Sequence, residues 1–235
     1  MLWIALTVLA APLQVGRNVM QRGLVGDAGP WGATLVRFLF GLPFALMIFG
    51  VVAMFTPHAA PHLSWRFAIA IVVGGLAQIA ATAALLASMH RTSFAIATVM
   101  QSSSLPLSAL AGWALFGDAL SPVGTVGVML TTIALVVLSW PRRDQAHGAT
   151  IGAVFGFLSG VAFAFALNGY RQAGLALEPH FPIYSATASV CIAQVLQSAV
   201  LLIYLGAYRP AALVAVAKSW RQSLAAGVFG AAASG

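Results

Sequence analysis

The sequence predicts an all-α integral membrane protein in which a five-helix unit occurs twice, over residues 1–141 and 149–235. Three observations carry that expectation. First, 61% of the residues are hydrophobic and only 6% are charged, against roughly a quarter charged in soluble domains. Water cannot wet a surface made from such a chain, so its solvent is the lipid bilayer. Second, the apolar residues come in runs of about 20, the length a helix needs to cross the hydrocarbon core. They do not alternate with a period of two, which argues against a β-barrel. Third, two short stretches recur in the same order. Ser64-Trp65-Arg66 returns as Ser219-Trp220-Arg221, 155 residues on, and Asn18–Leu24 (NVMQRGL) returns as Asn168–Leu175 (NGYRQAGL) at an offset of 150 to 151. Five is odd, so a second copy joined end to end enters the membrane from the opposite face, the inverted topology of secondary transporters.

In chain order the spans fall at roughly 2–22, 32–56, 66–88, 92–116, 121–140, 150–170, 183–206 and 221–235. Residues 2–13 have the apolar core of a signal peptide, but no basic segment precedes them and further long apolar runs follow at once, so the first run is a retained helix. Gly26-Asp27-Ala28-Gly29-Pro30 separates the first pair of spans and Thr56–Pro61 the next. His90-Arg91-Thr92 is a tight turn, with Thr92 or Ser93 as N-cap of the fourth span. Gly117–Pro122 is another, with Ser121 as N-cap and Pro122 at the first helical position, where its missing N–H costs nothing. Pro141-Arg142-Arg143-Asp144-Gln145 is the most polar stretch and divides the two copies. The last run, Arg221–Gly235, has 15 residues, about 22 Å of helix, short of a core of about 30 Å. Mapped back by 155, Gly235 falls opposite Ala80. The second copy is therefore expected to be incomplete, giving about 7.5 of ten transmembrane helices of a protein of about 295 residues.

Charge and special residues exclude several classes of function. The net charge of +7 comes from basic residues set singly between apolar runs, a pattern of interfacial anchors and topology signals, so no nucleic-acid partner is expected. Cys191, the one cysteine, cannot form an intrachain disulfide and reads as a small packing residue. Asp27, Asp118, Asp144 and Glu178 are the four carboxylates and all fall in or beside loops. His58 and His62 are four apart but sit among prolines, without the spacing of metal ligands on a helix. No nucleophile elbow or phosphate loop is present. Neither an enzyme, a metal nor a cofactor is expected.

Polar residues inside apolar helices are costly and mark solute pathways. Gln14 and Asn18 share a face of the first span, four apart, with Arg17 adjacent. Arg37 opens the second span, Gln78 sits mid-way along the third, and Gln101–Ser104 precedes Pro106 in the fourth. Pro106 leaves the carbonyl of Ser102 without its usual donor, which suits a solute site or a hinge. Asn168 and Tyr170 end the sixth span, and Gln194 and Gln197 lie in the seventh. The expected binding set is Gln14, Asn18, Arg37, Gln78, Gln101, Ser104 and Asn168. The competing reading for each is an interhelical hydrogen bond, worth about 0.6 kcal/mol on average; for Arg37 it is a side chain that snorkels to the interface. Gly152, Gly156 and Gly160 form a stripe expected to pack against another span of the chain, with a homodimer face as the alternative. Trp3, Trp31, Trp65, Trp140 and Trp220 lie near span ends and read as an interfacial belt.

Residues 92–140 hold the most specific pattern. Thr92-Ser93-Phe94-Ala95-Ile96-Ala97 opens a helix, Leu105-Pro106-Leu107 lies within it, Leu115–Ser121 (LFGDALS) ends it, and Gly124 and Gly127 open the next. This resembles the EamA-type repeat of the drug/metabolite transporter superfamily, whose pattern runs Ala-Ser-x-Ala, Pro-Leu, Leu-Gly-Glu-x-Leu-Thr, then a glycine-bearing helix. Arg37 followed by Pro43 is similar to that family's arginine-bearing second helix. The family's loop glutamate is Asp118 here, one methylene shorter. Close to Ser121-Pro122, it reads first as a capping and loop-fixing group, and second as a substrate or proton site. The first span carries Gln14 where small multidrug members of the superfamily have a proton-exchanging carboxylate, so that device is not supported.

The resemblance implies a secondary transporter in the inner (plasma) membrane of a bacterium, an exporter of small metabolites such as amino acids, working by alternating access. A scaffold docking partners through the glycine face is the alternative. Neutral amides and hydroxyls with one or two arginines suit amino acids, nucleosides, sugars or aromatic cations alike. Orientation stays open. Loop basic residues number two on the N-terminal side (Arg66, Arg171) and seven on the other, which puts the N-terminus outside; the resemblance puts it in the cytoplasm.

Overall fold

The computed structural model describes residues 2–139 and 147–218, and it is helical, with no strand among them. The helices are α1 (Leu2–Phe55), α2 (Trp65–Arg91), α3 (Phe94–Gln101), α4 (Ser104–Phe116), α5 (Pro122–Ser139), α6 (His147–Leu177), α7 (Pro182–Tyr208) and α8 (Pro210–Lys218). Five segments are long and apolar enough to cross a membrane: Ala28–Phe55, Trp65–Arg91, Phe94–Phe116, Thr150–Leu177 and Pro182–Tyr208. Pro122–Leu138 is a shorter apolar helix. Large apolar side chains stay exposed along these helices, among them Met47, Val73, Met129, Ile133 and Ile203. This fits an integral membrane protein whose outer face is wetted by lipid.

Local chemistry explains the helix ends. Ser93 caps α3, its hydroxyl accepting from the Ile96 N–H at 3.2 Å. Ser121 caps α5, accepting from the Gly124 N–H at 3.1 Å with Pro122 as the first helical residue. Gly117 ends α4 at φ 69°, a left-handed conformation that glycine adopts without strain.

Several boundaries differ from expectation. The turn at 26–30 shrinks to one non-helical residue, Gly29 (φ 69°, ψ 173°). Glycine supplies the positive φ and Pro30 restarts the helix without needing a donor, so α1 is two helices meeting at a kink. The fourth span breaks at Ser102–Ser103 into α3 and α4. The Ser102 carbonyl that Pro106 leaves without its usual donor accepts instead from the Leu105 N–H at 3.2 Å, one residue earlier in a tightened turn. It is therefore not an open acceptor. Helices α6 and α7 outrun their expected ends at 170 and 206, so Asn168 and Tyr170 lie inside a helix. Residues 210–218, read as a loop, form α8, begun by Pro210. The expected span 221–235 and the divider 141–145 fall outside the described residues.

The chain separates into two compact units, Met1–Gly75 with Tyr170–Gly235, and Leu76–Gly169. In the first, α1 packs along α7 and α8, and α7 against α8. Trp31 meets Tyr204 with ring centroids 5.5 Å apart, and Phe49 meets Tyr184 at 5.4 Å, so α1 and α7 run antiparallel. Trp31 is thus part of a ring pair and not only an interfacial anchor. Phe67, Ile71, Ala173, Leu177, Ala188 and Ala193 form the apolar core of this unit, flanked by Phe49, Tyr170 and Tyr184. Cys191 is buried, as expected of a packing residue.

Glu178 holds two loops of this unit together. One carboxylate oxygen accepts from the Ala60 N–H at 3.1 Å, and the other from the His180 N–H at 3.0 Å and lies 3.3 Å from its ring nitrogen. The His62 N–H donates to the Leu177 carbonyl at 2.8 Å beside them. The His180 backbone donor, ahead of that of Ala60 and the His180 ring, holds the Glu178 carboxyl below its usual value, outweighing desolvation.

In the second unit the glycine stripe of α6 lies against other spans of the same chain. A Cβ on Gly152 would meet the Thr92 Cβ at 2.6 Å, one on Gly156 the Met100 Cβ at 2.7 Å and the Ser88 hydroxyl at 3.1 Å, and one on Gly160 the Ser103 hydroxyl. Two buried hydroxyls join the same helices, Ser88 donating to the Gly152 carbonyl at 2.6 Å and Ser159 to that of Ala81 at 2.7 Å. Helix α5 packs on α3 and α4.

Two predictions follow from this packing. Gly156→Leu should destabilise the protein by about 1–3 kcal/mol, the cost of overpacking, and lower its melting temperature in detergent. Gly127→Leu, where a Cβ meets nothing within 4 Å, should leave it unchanged. A depressed carboxyl stabilises the fold above its unfolded pKa of about 4.3 and loses that contribution as pH falls through the lower folded value. Melting temperature should therefore fall below about pH 4 in the wild type, and Glu178→Gln should remove that part of the acid sensitivity.

Candidate functional site

Helix α7 is the element on which the first unit depends. Its buried positions, Ser185, Ala188, Ser189, Cys191, Ala193, Gln194, Gln197, Ser198, Leu201 and Leu205, spread around most of the circumference at 100° per residue. Half of them are polar. A helix so enclosed must give those groups partners from its neighbours or leave them for a ligand.

Gln197 is fully buried and bridges two neighbouring helices. Its amide nitrogen donates to the Gly75 carbonyl of α2 at 3.0 Å and to the Tyr170 hydroxyl of α6 at 2.9 Å. A Cβ on Gly75 would lie 3.4 Å from Leu196 and 3.8 Å from the Gln197 side chain, in ordinary contact with α7. Arg37 of α1 is buried, interacts electrostatically with Tyr170, and has its guanidinium carbon 5.3 Å from the Phe38 ring centroid. The two ring pairs between α1 and α7 set a register in which position 37 is level with 196–198. Arg37, Tyr170, Gln197 and the Gly75 carbonyl thus form one polar centre. Gln197 lies about 22 Å along α7 from Pro182, and Gly75 about 15 Å along α2 from Trp65, depths suited to the middle of a core of about 30 Å.

Three more buried oxygens of α7, those of Ser189, Gln194 and Ser198, have no hydrogen-bond partner among the described residues. Each such group costs about 1–3 kcal/mol if it is left without a partner. At the loop end of the same unit, an open pocket of about 200 Å³ runs between α6 and α7. Tyr170 and Ser185 line it, with Arg171, Gly174, Leu175, Glu178, Pro179, Pro182 and Ala186. It has room for roughly half a dozen waters, and Tyr170 is shared between it and the polar centre.

The expected binding residues divide between the two units. Asn18 and Arg37 belong to the first, both buried. The covered Arg37 does not snorkel to an interface. The side chain of Gln14 lies outside the described residues. Gln78, Gln101, Ser104 and Asn168 belong to the second unit. Gln78 is half-buried, Gln101 is buried at the end of α3, and Ser104 is buried at the start of α4. Asn168 joins helices, its amide nitrogen donating to the Ser108 carbonyl at 3.0 Å, the Ser108 hydroxyl at 3.2 Å and the Ala164 carbonyl at 2.9 Å. Asp118 turns back toward α4. Its carboxylate would lie 3.1 Å from a Cβ on Gly112, and the Asn168 side-chain oxygen 3.3 Å from it. Capping of α5 falls to Ser121 and not to Asp118.

Tyr170, Ser189, Gln194, Gln197 and Ser198 were outside the expected binding set. A signal for them was present, since Ser185, Ser189, Ala193 and Gln197 recur every fourth residue, as do Gln194 and Ser198, two small-and-polar stripes on an otherwise apolar helix. Comparison of the chain with models of protein families, with characterised proteins and with solved structures gave no match.

Asn168 is bonded to α4 and within its own helix, so its replacement reports packing. Asn168→Leu should cost about 0.6–1.7 kcal/mol for the lost interhelical bonds, measurable as a lower melting temperature in detergent.

Proposed function

We propose that the protein is a secondary carrier of a small polar metabolite, working by alternating access. The observation that supports this best is the buried polar centre of Arg37, Tyr170 and Gln197 on apolar helices, with the oxygens of Ser189, Gln194 and Ser198 on the same α7 unpartnered among the described residues. Ionisable and hydrogen-bonding groups at such depth are expensive and mark solute paths. Carriers built from inverted repeats place their sites near the midplane, where the lengths of α2 and α7 put this centre. The sequence echoes and the EamA-type pattern of residues 92–140 fit an exporter in the inner membrane of a bacterium, built from two antiparallel five-helix copies. Gln78, Gln101 and Ser104 are then candidate lining residues of the second unit. The scaffold alternative relied on the glycine face of α6, and that face is filled by Thr92, Met100 and Ser103 of the same unit, so the carrier is the reading kept.

Counterflow of radiolabelled small metabolites into proteoliposomes containing the chain tests the proposal. Flux is expected in the wild type. Gln197→Leu, which removes the bonds to Gly75 and Tyr170, should lower it about tenfold or more, a loss of about 1.4 kcal/mol, with insertion retained and the melting temperature lowered by about as much as in Asn168→Leu. Absence of flux for every solute would sink the carrier reading.

A further inference from the structure

We infer that the pocket between α6 and α7 holds a phosphatidylethanolamine molecule of the surrounding bilayer, with its zwitterionic headgroup on Arg171 and Glu178. The inference stands apart from the carrier reading and needs only that the chain lies in lipid. Depth comes first. Glu178 accepts from the Ala60 N–H, and the His62 N–H donates to the Leu177 carbonyl, so the loop between α1 and α2 lies at the same end as the pocket. Phe55 and Trp65 flank that loop and are exposed, and aromatic residues at span ends sit at headgroup level. Tyr170, at the inner end of the pocket, is eight positions before Glu178, about 12 Å along α6. The pocket of about 200 Å³ thus runs from headgroup level into the hydrocarbon. Leu175, Pro182 and Ala186 line it and are exposed, as is the neighbouring Ile183, so its open side is wetted by acyl chains.

Two opposite charges line this pocket, which selects the headgroup. Arg171, Leu175 and Glu178 fall on one face of α6, at spacings of four and three. Arg171 is exposed, and its guanidinium carries five N–H donors in a fork that suits a phosphodiester, more than one neighbour uses. Glu178 has two oxygens with about four acceptor sites. The Ala60 and His180 N–H groups take two, and the His180 ring nitrogen lies 3.3 Å from one oxygen, which leaves a place for an ammonium. The helix ends agree in sign. Helix α7 begins at Pro182 without a side-chain cap, and a helix N-terminus favours an anion, whereas the C-terminus of α6 beside Glu178 favours a cation. An anionic lipid brings like charge to Glu178 and no partner for it. The methylated ammonium of phosphatidylcholine donates no hydrogen bond and leaves the carboxylate unanswered.

The melting temperature of the purified chain in detergent, with dioleoyl lipids of each headgroup added to the micelles, tests this. Phosphatidylethanolamine should stabilise at a mole fraction at least about tenfold lower than phosphatidylcholine or phosphatidylglycerol, and native mass spectrometry should show it retained. Arg171→Gln should weaken that stabilisation about tenfold, and Arg171→Lys should restore part of it. Arg66→Gln, at an exposed arginine of the same end but outside the pocket lining, should change nothing. Glu178→Gln should remove the preference over phosphatidylcholine. Ala186→Trp, which puts a large ring at an exposed position of the lining, should abolish lipid retention while the lipid-free protein melts as the wild type does. Equal stabilisation by the three lipids, or a preference that survives Ala186→Trp, would overturn the inference. So would equal stabilisation by soluble glycerophosphoethanolamine, which would make the pocket a solute site. The wild-type lipid series decides the matter even where a Glu178 variant does not fold.

Discussion

A helix in hydrocarbon satisfies its own backbone, but no water is at hand for a polar side chain, which must find its partner inside the protein. Helix α7 shows what that constraint does. It is enclosed on most sides and carries polar residues at half of its buried positions. Gln197 meets the constraint by reaching two helices at once, one through the Gly75 carbonyl and one through the Tyr170 hydroxyl. The placement of α2 and α6 beside α7 is therefore coupled to a single amide. Apolar contacts such as Phe67 with Ala188 and Leu177 then fill the space around it.

The two compact units meet the same constraint differently. In the unit of Leu76–Gly169, three glycines let α6 approach other helices so closely that serine hydroxyls reach backbone carbonyls directly. Such packing leaves little room, and van der Waals contact with short hydrogen bonds does most of the holding, as expected where lipid removes the hydrophobic drive between helices. In the other unit, aromatic pairs space α1 from α7. Buried oxygens of Ser189, Gln194 and Ser198 on α7 have no hydrogen-bond partner among the described residues. Tight packing of the glycine-bearing kind suits a fixed support, whereas the carrier proposal draws on the polar residues of the unit that holds Arg37.

Electrostatics sets what the polar centre costs. A buried guanidinium is tolerable only when its field is answered by dipoles, a ring face or an anion. Tyr170 and the Phe38 ring supply part of that answer. In a low-dielectric surrounding such charge-assisted bonds count for more than they do in water. Outside the membrane-spanning segments the same chemistry serves a different end. Glu178 gathers two backbone donors and a histidine to fix the loops that join α1 to α2 and α6 to α7.

The sequence by itself determined the class of fold and the local punctuation. Composition and run length dictate apolar helices because, without the period of two of a closed barrel, no other element hides its backbone from lipid. Ser93, Ser121, Pro122 and Gly117 act at helix ends through bonds to residues three or four positions away, so they were legible from local chemistry. The stripe at Gly152, Gly156 and Gly160 announced close packing for the same reason. What only the tertiary structure decided is which polar residues meet. Asn168 and Gln197 look alike as amides in apolar helices, yet one bonds α4 and the other completes a centre with Tyr170 and Arg37, from residues far apart in the chain. Likewise, Glu178 stood as a loop carboxylate until Ala60, 118 positions away, was placed against it. Periodicity tells which face a side chain takes on its own helix; the partner across the seam is set by how whole helices pack, and that depends on every contact along them at once.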